Sequence, residues 1–300
     1  MKKLILLLTG LLFFGCGQQK QQGTIGDLEA AIQDIVEDTA GDFAVAFKLL
    51  DGSGLQVLIH EKEVFHAAST MKTPVMIEIF RQVHAGKMAL EDSVLILNEF
   101  KSIVDGSPYS MDLGVDSQEE LYGRVGQQAT VYELMYQMII KSSNLATNIL
   151  IEKVGAENVT KTMRDLGAAD IQVLRGVEDL KAFDAGLSNT TTALDMMLIM
   201  EAIATGEAVG QEESRQMMDI LYDQYYKDLI PKLLPDEVKI AHKTGSITGV
   251  QHDAAILTLP GGTSYVLVIL SKNLSDVAAG KKAINEISKL IYDFVKKEYS

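Results

Sequence analysis

Three short stretches of this chain combine nucleophilic, cationic and amide side chains at spacings that suit acyl-transfer chemistry. The first is Ser69-Thr70-Met71-Lys72, where a helix beginning near Ser69 puts serine and lysine on one face, a turn apart. Pro74 favours that start, because only the first turn of a helix can spare an N–H. Lys72 can act as a base only if burial or cationic neighbours lower its pKa toward neutrality. Taken alone, the stretch favours the simpler interpretation, a helix cap followed by a surface lysine.

The second stretch is Ser142-Ser143-Asn144, at a predicted junction between two helices. A hydroxyl there could relay a proton to a leaving group, and an amide could orient a carbonyl-bearing substrate. The simpler interpretation of these three residues alone is capping of the following helix.

The third stretch is Lys243-Thr244-Gly245-Ser246, after a predicted strand. Lysine and threonine at a strand edge can hold a substrate carboxylate. The glycine would let the substrate approach the backbone closely, as a peptide added to a sheet edge does. The alternative is a strand that simply ends in a glycine turn.

Hydrophobic periodicity predicts the elements that position these stretches. They are a helix over residues 25–39, strands over 43–50 and 55–60, a largely helical stretch from 69 to about 206, strands over 238–242, 250–259 and 264–272, and a closing helix. Thr130 and Glu133 are spaced as a capping box at the start of one middle helix.

The order of these elements predicts an α+β fold. Residues 25–65 and 215–300 form an α/β subdomain, an antiparallel sheet flanked by the terminal helices. Residues 66–214 form an all-helical subdomain inserted between strands, so the catalytic domain spans 25–300. A cleft between two such subdomains is a common place for a site.

Composition excludes several classes of function. The chain has 300 residues, of which 47% are hydrophobic and 23% charged, as in an ordinary globular protein. A formal net charge of -14 argues against a nucleic-acid partner, which would need a basic face. The five histidines show no metal-ligand spacing and there is one cysteine, so we predict no metal and no cofactor.

The N-terminus predicts export. Lys2 and Lys3 precede an apolar run over residues 4–14 that is too short to span a bilayer but suits a secretory signal. The run ends at Gly15-Cys16 and resembles a bacterial lipobox, although the bulky Phe13 and Phe14 depart from it.

In this interpretation residues 1–15 are a signal peptide, Cys16 is lipidated, and residues 16–24 are a tether. Simple signal cleavage is the alternative. We therefore predict a lipoprotein secreted across the bacterial inner membrane and anchored by Cys16, facing the periplasm or cell envelope.

The three stretches occur in the order Ser-x-x-Lys, Ser-x-Asn and Lys-Thr-Gly. In this combination the chain resembles the penicillin-recognising serine acyltransferases, and more closely the class A serine β-lactamases. The resemblance runs from about Gly26 to the C-terminus. It is supported by the stretches S-S-N-L-A-T-N-I-L-I-E-K-V-G, M-R-D-L-G, N-T-T-T-A-L-D-M and H-K-T-G-S.

The resemblance implies a role for each matching residue. Ser69 would attack the β-lactam carbonyl and form an acyl-enzyme. Lys72 would manage acylation, with Ser142 passing a proton to the leaving nitrogen. The backbone N–H groups of Ser69 and Ser246 would form the oxyanion hole.

It also implies the substrate contacts. Asn144 would hold the side-chain amide of the substrate, and Lys243, Thr244 and Ser246 its carboxylate, with Gly245 giving close access to the strand.

Hydrolysis further requires a group that activates water against the acyl-enzyme. Glu178 lies as far beyond Asn144 as the family's deacylating glutamate lies beyond its own asparagine. A carboxylate beside Lys72 would stay ionised and could act as the general base. The alternative is an ordinary surface glutamate.

Several positions depart from the family pattern. Ser143 stands where the family usually has aspartate, and Ala182 replaces an asparagine that helps to hold the water. Arg175 lies three residues before Glu178 rather than two, and its usual aspartate partner is Asn189, in a loop about two residues shorter. These changes leave acylation better supported than deacylation.

The carboxylate end of the site also differs. No arginine follows Arg215, so the guanidinium contact that many relatives supply is missing, and His252 could partly substitute. Tyr109 either lines the cleft mouth or anchors a loop.

From these residues we predict a class A-like serine β-lactamase, a monomer acting on small-molecule substrates without nucleic acid. The first alternative is a DD-peptidase or esterase of the same superfamily that acts on peptidoglycan peptides. The second is a penicillin receptor that is acylated and does not hydrolyse.

Overall fold

The computed structural model describes residues 23–114, 116 and 118–299. The helices in these residues are α1 (Ile25–Glu37), α2 (Lys72–His84), α3 (Val131–Ile140), α4 (Asn144–Val154), α5 (Ala156–Asp165), α6 (Leu180–Asp184), α7 (Ala193–Thr205), α8 (Gln211–Tyr222) and α9 (Val277–Tyr299). The strands are β1 (Asp42–Leu49), β2 (Gln56–Ile59), β3 (Phe65–His66), β4 (Ser93–Leu95), β5 (Phe100–Lys101), β6 (Pro108–Tyr109), β7 (Gln128–Thr130), β8 (Thr190–Thr191), β9 (Lys239–Ile247), β10 (Val250–Thr258) and β11 (Ser264–Lys272). Short 3₁₀ turns lie at Ala68–Met71, Tyr122–Arg124 and Ile230–Leu233.

The main sheet is antiparallel, with the strand order β2-β1-β11-β10-β9. Strand β1 lies between β2 and β11, and Val45 is opposite both Ile59 and Ile269. Strand β9 pairs with β10 on one side and forms an edge of the sheet. An antiparallel sheet combined with helices confirms the predicted α+β fold.

Both faces of this sheet are buried, which explains why its strands are nearly continuous apolar runs. Ala44, Ala46 and Val268 point into a core shared with the helices of the middle of the chain. Val45 and Phe47, which alternate with them, point into a second core shared with α1 and α9. The period of two along β1 therefore divides the molecule into a helical side and a terminal-helix side.

The predicted strand over residues 238–242 ends too early. Strand β9 continues to Ile247, so Lys243 to Ser246 lie within the strand rather than after it. Pairing with β10 continues through this stretch, with Gly245 opposite His252 and Ser246 opposite Gln251. The glycine, which usually indicates a strand end, is tolerated here at the sheet edge.

Caps and boundaries add detail to the prediction. Thr130 accepts a hydrogen bond from the Glu133 backbone at the start of α3, but the Glu133 carboxylate pairs with Arg124 instead of closing the capping box. The predicted subdomain boundary at residue 215 falls inside α8.

In the described part of the chain, every helix is too short or too polar to cross a membrane. The predicted signal peptide and Cys16 lie outside the described residues.

Candidate active site

Ser69 lies on the tight turn that leads into α2. The turn is the 3₁₀ segment Ala68–Met71, and the α-helix continues directly from Lys72. A Cβ atom on Gly245 of β9 would lie 3.1 Å from the backbone nitrogens of both Ser69 and Thr70. The close approach that glycine allows is therefore used by the protein's own turn, which packs directly against the edge strand.

Lys72 is fully buried and reaches across to the junction between α3 and α4. Its Nζ donates to the Ser142 carbonyl oxygen at 2.6 Å and to the Ser142 Oγ at 3.2 Å. Lys243, also fully buried, donates from its Nζ to the same Ser142 Oγ at 3.0 Å. Two predicted site residues, Lys72 and Lys243, thus donate hydrogen bonds to the hydroxyl of a third, Ser142.

Burial governs the charge of both lysines. Desolvation lowers the pKa of the Lys72 ammonium to about 7, although the carboxylates of Asp116 and Glu178 act to raise it. Desolvation also lowers the pKa of Lys243 well below its usual range, with the neighbouring charge of Lys72 acting in the same direction. The condition that a lysine base requires, a pKa near neutrality, is met at Lys72.

Asn144, the first residue of α4, connects Lys72 with Glu178. Its Oδ1 accepts a hydrogen bond from Lys72 Nζ at 2.9 Å, and its Nδ2 donates to Glu178 Oε1 at 2.8 Å. Ser143, the residue before it, caps α4 by accepting from the Ala146 N–H. The capping alternative therefore holds for Ser143, while its two neighbours point toward the buried lysines.

Glu178 is half-buried, and burial raises the pKa of its carboxyl, which the Asn144 amide and the Asp112 backbone N–H partly offset. Its backbone has φ +61°, a left-handed conformation that is costly for a residue with a side chain. Ala68 and Ser142 share this conformation, at +45° and +59°. Such strain is concentrated around functional sites in proteins, and here it surrounds Ser69 and Asn144.

The loop that carries Glu178 is held to α4 by Asn148, a buried residue that sequence reasoning missed. Its Oδ1 accepts from the Val177 N–H at 2.7 Å, and its Nδ2 donates to the Val177 carbonyl at 3.0 Å. A Cβ on Gly176 would lie 2.5 Å from this amide oxygen, so any larger residue there would have to displace the Asn148 amide. The four-residue spacing from Asn144 is the sequence signal that could have indicated Asn148, since it puts both amides on one helix face.

Tyr109 anchors the same loop. Its hydroxyl donates to the Val177 carbonyl at 3.4 Å and accepts from Asn148 Nδ2 at 3.2 Å. Of the two predicted roles, these contacts support the loop anchor.

Arg175 and Asn189 brace the base of this loop without an ion pair between them. Asn189 Oδ1 accepts from the backbone N–H groups of Leu174 and Arg175, and its Nδ2 donates to the Arg175 carbonyl. The buried Arg175 guanidinium donates to the carbonyls of Leu187 and Gly176. An amide suits this place because it both donates and accepts, which a carboxylate cannot do.

A cleft of about 330 Å³ opens above these groups. Its lining includes six of the predicted site residues, namely Ser69, Ser142, Asn144, Thr244, Gly245 and Ser246. It also includes residues that the sequence did not single out, among them Tyr226, Asp228, Gln251 and Lys281.

Two of these additional residues form an ion pair at the edge of the cleft. Lys281 Nζ lies 2.6 Å from Asp228 Oδ2. Gln251 Nε2 donates to Ser246 Oγ at 2.8 Å and so orients that hydroxyl. Lys281 was not recognisable from sequence, because only the fold brings α9 to the end of β9.

The expectation that His252 substitutes for the missing arginine is wrong. His252 is fully buried, its Nε2 lies 2.8 Å from the His66 carbonyl, and its Nδ1 accepts from the Ser271 N–H at 3.1 Å. Desolvation lowers the pKa of its imidazole to about 4, so the ring is neutral. Its position in β10 makes it a structural residue that cannot reach a bound carboxylate.

Comparisons with known proteins agree with this geometry. A family model described as the β-lactamase enzyme family matches residues 27–295. A β-lactamase of Rhodobacter capsulatus is 26% identical over 241 residues, which make up 79% of this chain and 77% of that protein.

Two solved structures are similar over nearly the whole chain. The crystal structure of a β-lactamase from Sphaerobacter thermophilus is 27% identical, with a TM-score of 0.76 over 90% of this chain and 97% of that one. A mutant of PBP-A in acyl-enzyme complex with penicillin G is 27% identical, with a TM-score of 0.76 over 91% and 97%. With a family model matching residues 27–295, this chain belongs to the β-lactamase enzyme family.

Proposed function

We propose that this chain is a class A-like serine β-lactamase that opens the β-lactam amide through an acyl-enzyme on Ser69. Membership of the family supports hydrolysis of β-lactams in general. The observation that carries the finer proposal is Asn144, whose single amide contacts both the candidate acylation base, Lys72, and the candidate deacylation base, Glu178.

Acylation begins with neutral Lys72, a form that a pKa of about 7 makes abundant at neutral pH. The Ser69 oxygen attacks the lactam carbonyl carbon as its proton passes to Lys72. The backbone N–H groups of Ser69 and Ser246 would receive the negative charge that develops on the carbonyl oxygen.

Ser142 then supplies the proton that the leaving nitrogen needs. Once it has taken the Ser69 proton, Lys72 donates to the Ser142 carbonyl oxygen, the Ser142 hydroxyl oxygen and the Asn144 amide oxygen. Lys243 donates to the same hydroxyl oxygen, which leaves the Ser142 proton free to turn toward the leaving nitrogen. As the C–N bond breaks, Ser142 protonates the nitrogen and recovers a proton from Lys72.

Deacylation follows with Glu178 as general base. A water held beside Glu178 and Asn144 loses a proton to the carboxylate and attacks the ester carbonyl. The Ser69–carbonyl bond breaks, and the proton that Glu178 took from the water returns to the Ser69 oxygen, which regenerates both groups.

The substrate carboxylate would lie along β9. Thr244 and Ser246 line the cleft there, and the Ser246 hydroxyl is oriented by Gln251. Lys243 lies beneath this edge, where its Nζ donates to Ser142 and Thr244 and so holds the residues beside the carboxylate in place. Asn144 would receive the substrate's side-chain amide.

The test combines two probes on the full chain in mild detergent. Nitrocefin reports hydrolysis, and a fluorescent penicillin reports the covalently labelled protein. Many turnovers for each enzyme molecule are expected. The Glu178→Gln variant should keep the labelling burst and lose about 10²–10⁴-fold in turnover, which is the usual contribution of a general base. Normal turnover by this variant would show that another group activates the water.

One observation favours a second candidate, a peptidase or a receptor that releases its acyl group slowly. Ala182, where the class A pattern has a water-holding asparagine, is fully buried behind Asp179, which caps α6. PBP-A, one of the similar proteins, was solved as an acyl-enzyme complex with penicillin G. A single burst with stable label in the wild-type chain would establish this candidate instead.

For localisation we propose a lipid anchor on Cys16 and display outside the inner membrane. The support is the sequence of residues 2–16 alone. The Cys16→Ala variant should fail to incorporate labelled palmitate and leave the membrane fraction. Membrane retention without palmitate would point to another attachment.

A further inference from the structure

Asp116, on the segment between β6 and the 3₁₀ turn Tyr122–Arg124, directs its carboxylate at the first turn of α4. Its Oδ1 accepts from the Asn144 N–H at 3.0 Å, and its Oδ2 accepts from the Leu145 N–H at 2.9 Å. The Tyr122 hydroxyl donates to the same carboxylate at 2.9 Å. Asp116 lies 28 positions before Asn144, so this contact is tertiary and not a local turn.

These contacts satisfy backbone N–H groups at the start of α4 that the second motif leaves without a partner. The first N–H groups of a helix have no partner within the helix, and a carboxylate is the best acceptor for them. Ser143 precedes α4 but reaches only the Ala146 N–H, at 3.3 Å. The N–H groups of Asn144 and Leu145 are taken by Asp116. A distant loop thus supplies the carboxylate that the Ser-Ser-Asn sequence lacks.

The same carboxylate acts on the two candidate bases. Its negative charge raises the pKa of Lys72 and also that of Glu178. Two further charge interactions act here. Lys243 lies beside Lys72, and Lys72 and Glu178 act on each other. Asn144 lies between all of them, held by its backbone to Asp116 and by its amide to Lys72 and Glu178.

We propose that Asp116 is a positioning residue of this active site. It holds the backbone of Asn144 in place, and its negative charge affects the protonation of both Lys72 and Glu178. This inference rests on the proposed function, because it assigns those two residues as bases. It places a further determinant of the reaction in a loop outside the three motifs.

The test compares Asp116→Asn with Glu119→Gln in the full chain. Both variants remove one negative charge from the same loop, but Glu119 is exposed and its side chain has no contact with the site among the described residues. Penicillin labelling and nitrocefin turnover are each measured as a function of pH.

Removing a nearby negative charge lets Lys72 and Glu178 lose their protons at lower pH. The acid limbs of both profiles should therefore move down by about 0.5 to 1 pH unit in Asp116→Asn. Glu119→Gln should follow the wild type. Asp116→Ala, which also loses the backbone contacts, should raise KM in addition. An active Asp116→Asn whose limbs coincide with those of Glu119→Gln would overturn the inference.

A second readout does not depend on activity. Amide protons that donate to a carboxylate resonate downfield, so the Asn144 and Leu145 amide resonances should move upfield in Asp116→Asn and stay in place in Glu119→Gln. Unmoved resonances would overturn the inference even if the wild type hydrolyses β-lactams. Moved resonances in a wild type that hydrolyses nothing would reject the proposed function and keep the contact.

Discussion

The two halves of the proposed reaction are built differently. The acylation cluster, defined as Ser69, Lys72, Ser142 and Lys243, joins a helix start, an interhelical junction and a strand, and both of its lysines are fully buried. The Glu178 loop, defined as residues 174–189, is an irregular segment that contains only the short helix α6.

The difference lies in how each region is held. Two buried lysines converge on one hydroxyl in the acylation cluster, and its chemistry follows from the lowered pKa values that desolvation gives them. The Glu178 loop is held by side-chain hydrogen bonds to backbone groups, from the amides of Asn148 and Asn189 and from the Arg175 guanidinium. Desolvation therefore sets the chemistry of the acylation cluster, whereas side-chain to backbone hydrogen bonds set the position of the Glu178 loop.

The largest effect is expected where the acylation cluster loses its base. Lys72→Met keeps the buried volume but removes the amine, so penicillin labelling should slow by about 10³-fold, within the usual range for a general base. The rate of covalent labelling measures this, with a thermal melt to check folding. Labelling at the wild-type rate would show that another group acts as the base.

The next effect should separate the two halves. Asn148→Ala removes the amide that holds Val177, so Glu178 shifts and deacylation should fall about 10- to 100-fold, as for a misplaced catalytic group. Labelling should stay fast, because Lys72 does not contact this amide. Single-turnover release of the label measures the step.

Asn158→Ala is the matched control, since its amide contacts only the Val154 carbonyl among the described residues. Equal slowing of release in both variants would mean that Asn148 acts only through general stability.

The smallest effect concerns binding, outside both halves. Lys281→Ala removes the cation at the edge of the cleft and leaves Asp228 unpaired, so KM for an anionic β-lactam should rise about two- to fivefold, on the scale of an exposed ion pair. Lys282→Ala, on the exposed side of the same helix, should leave KM unchanged. Steady-state kinetics decides, and an unchanged KM in Lys281→Ala would remove this residue from the site.

The sequence predicted the parts of the fold that depend on periodicity. The observed bounds are within two residues of the predicted ones for helix α1, the β1–β2 hairpin and strands β10 and β11. The reason is that the spacing of apolar residues along the sequence directly reflects which side of a helix or strand is buried. The end of β9 was missed because Gly245 is a local sign of a turn, and only pairing with β10 overrides it.

For the candidate site, the motif residues are brought around one cleft, but their supports were not predictable. Asp116 and Lys281 reach the site from distant parts of the chain, and no local pattern encodes such contacts. His252 was misjudged because its type suggested chemistry, whereas its buried position in β10 gives it a structural role. The catalytic roles themselves remain predictions for the experiments above.

Gly245 has a consequence for how such an enzyme can evolve. Because a Cβ at this position would lie 3.1 Å from two backbone nitrogens of the Ser69 turn, any other residue there requires the turn or the strand to shift by a few tenths of an ångström. A lineage under selection for new substrates therefore has little freedom at the centre of this strand edge. Its accessible variation lies at positions such as Ile247, which follows in the same strand and is exposed. The absence of one carbon atom thus directs adaptation toward the exposed residues that follow it along the strand.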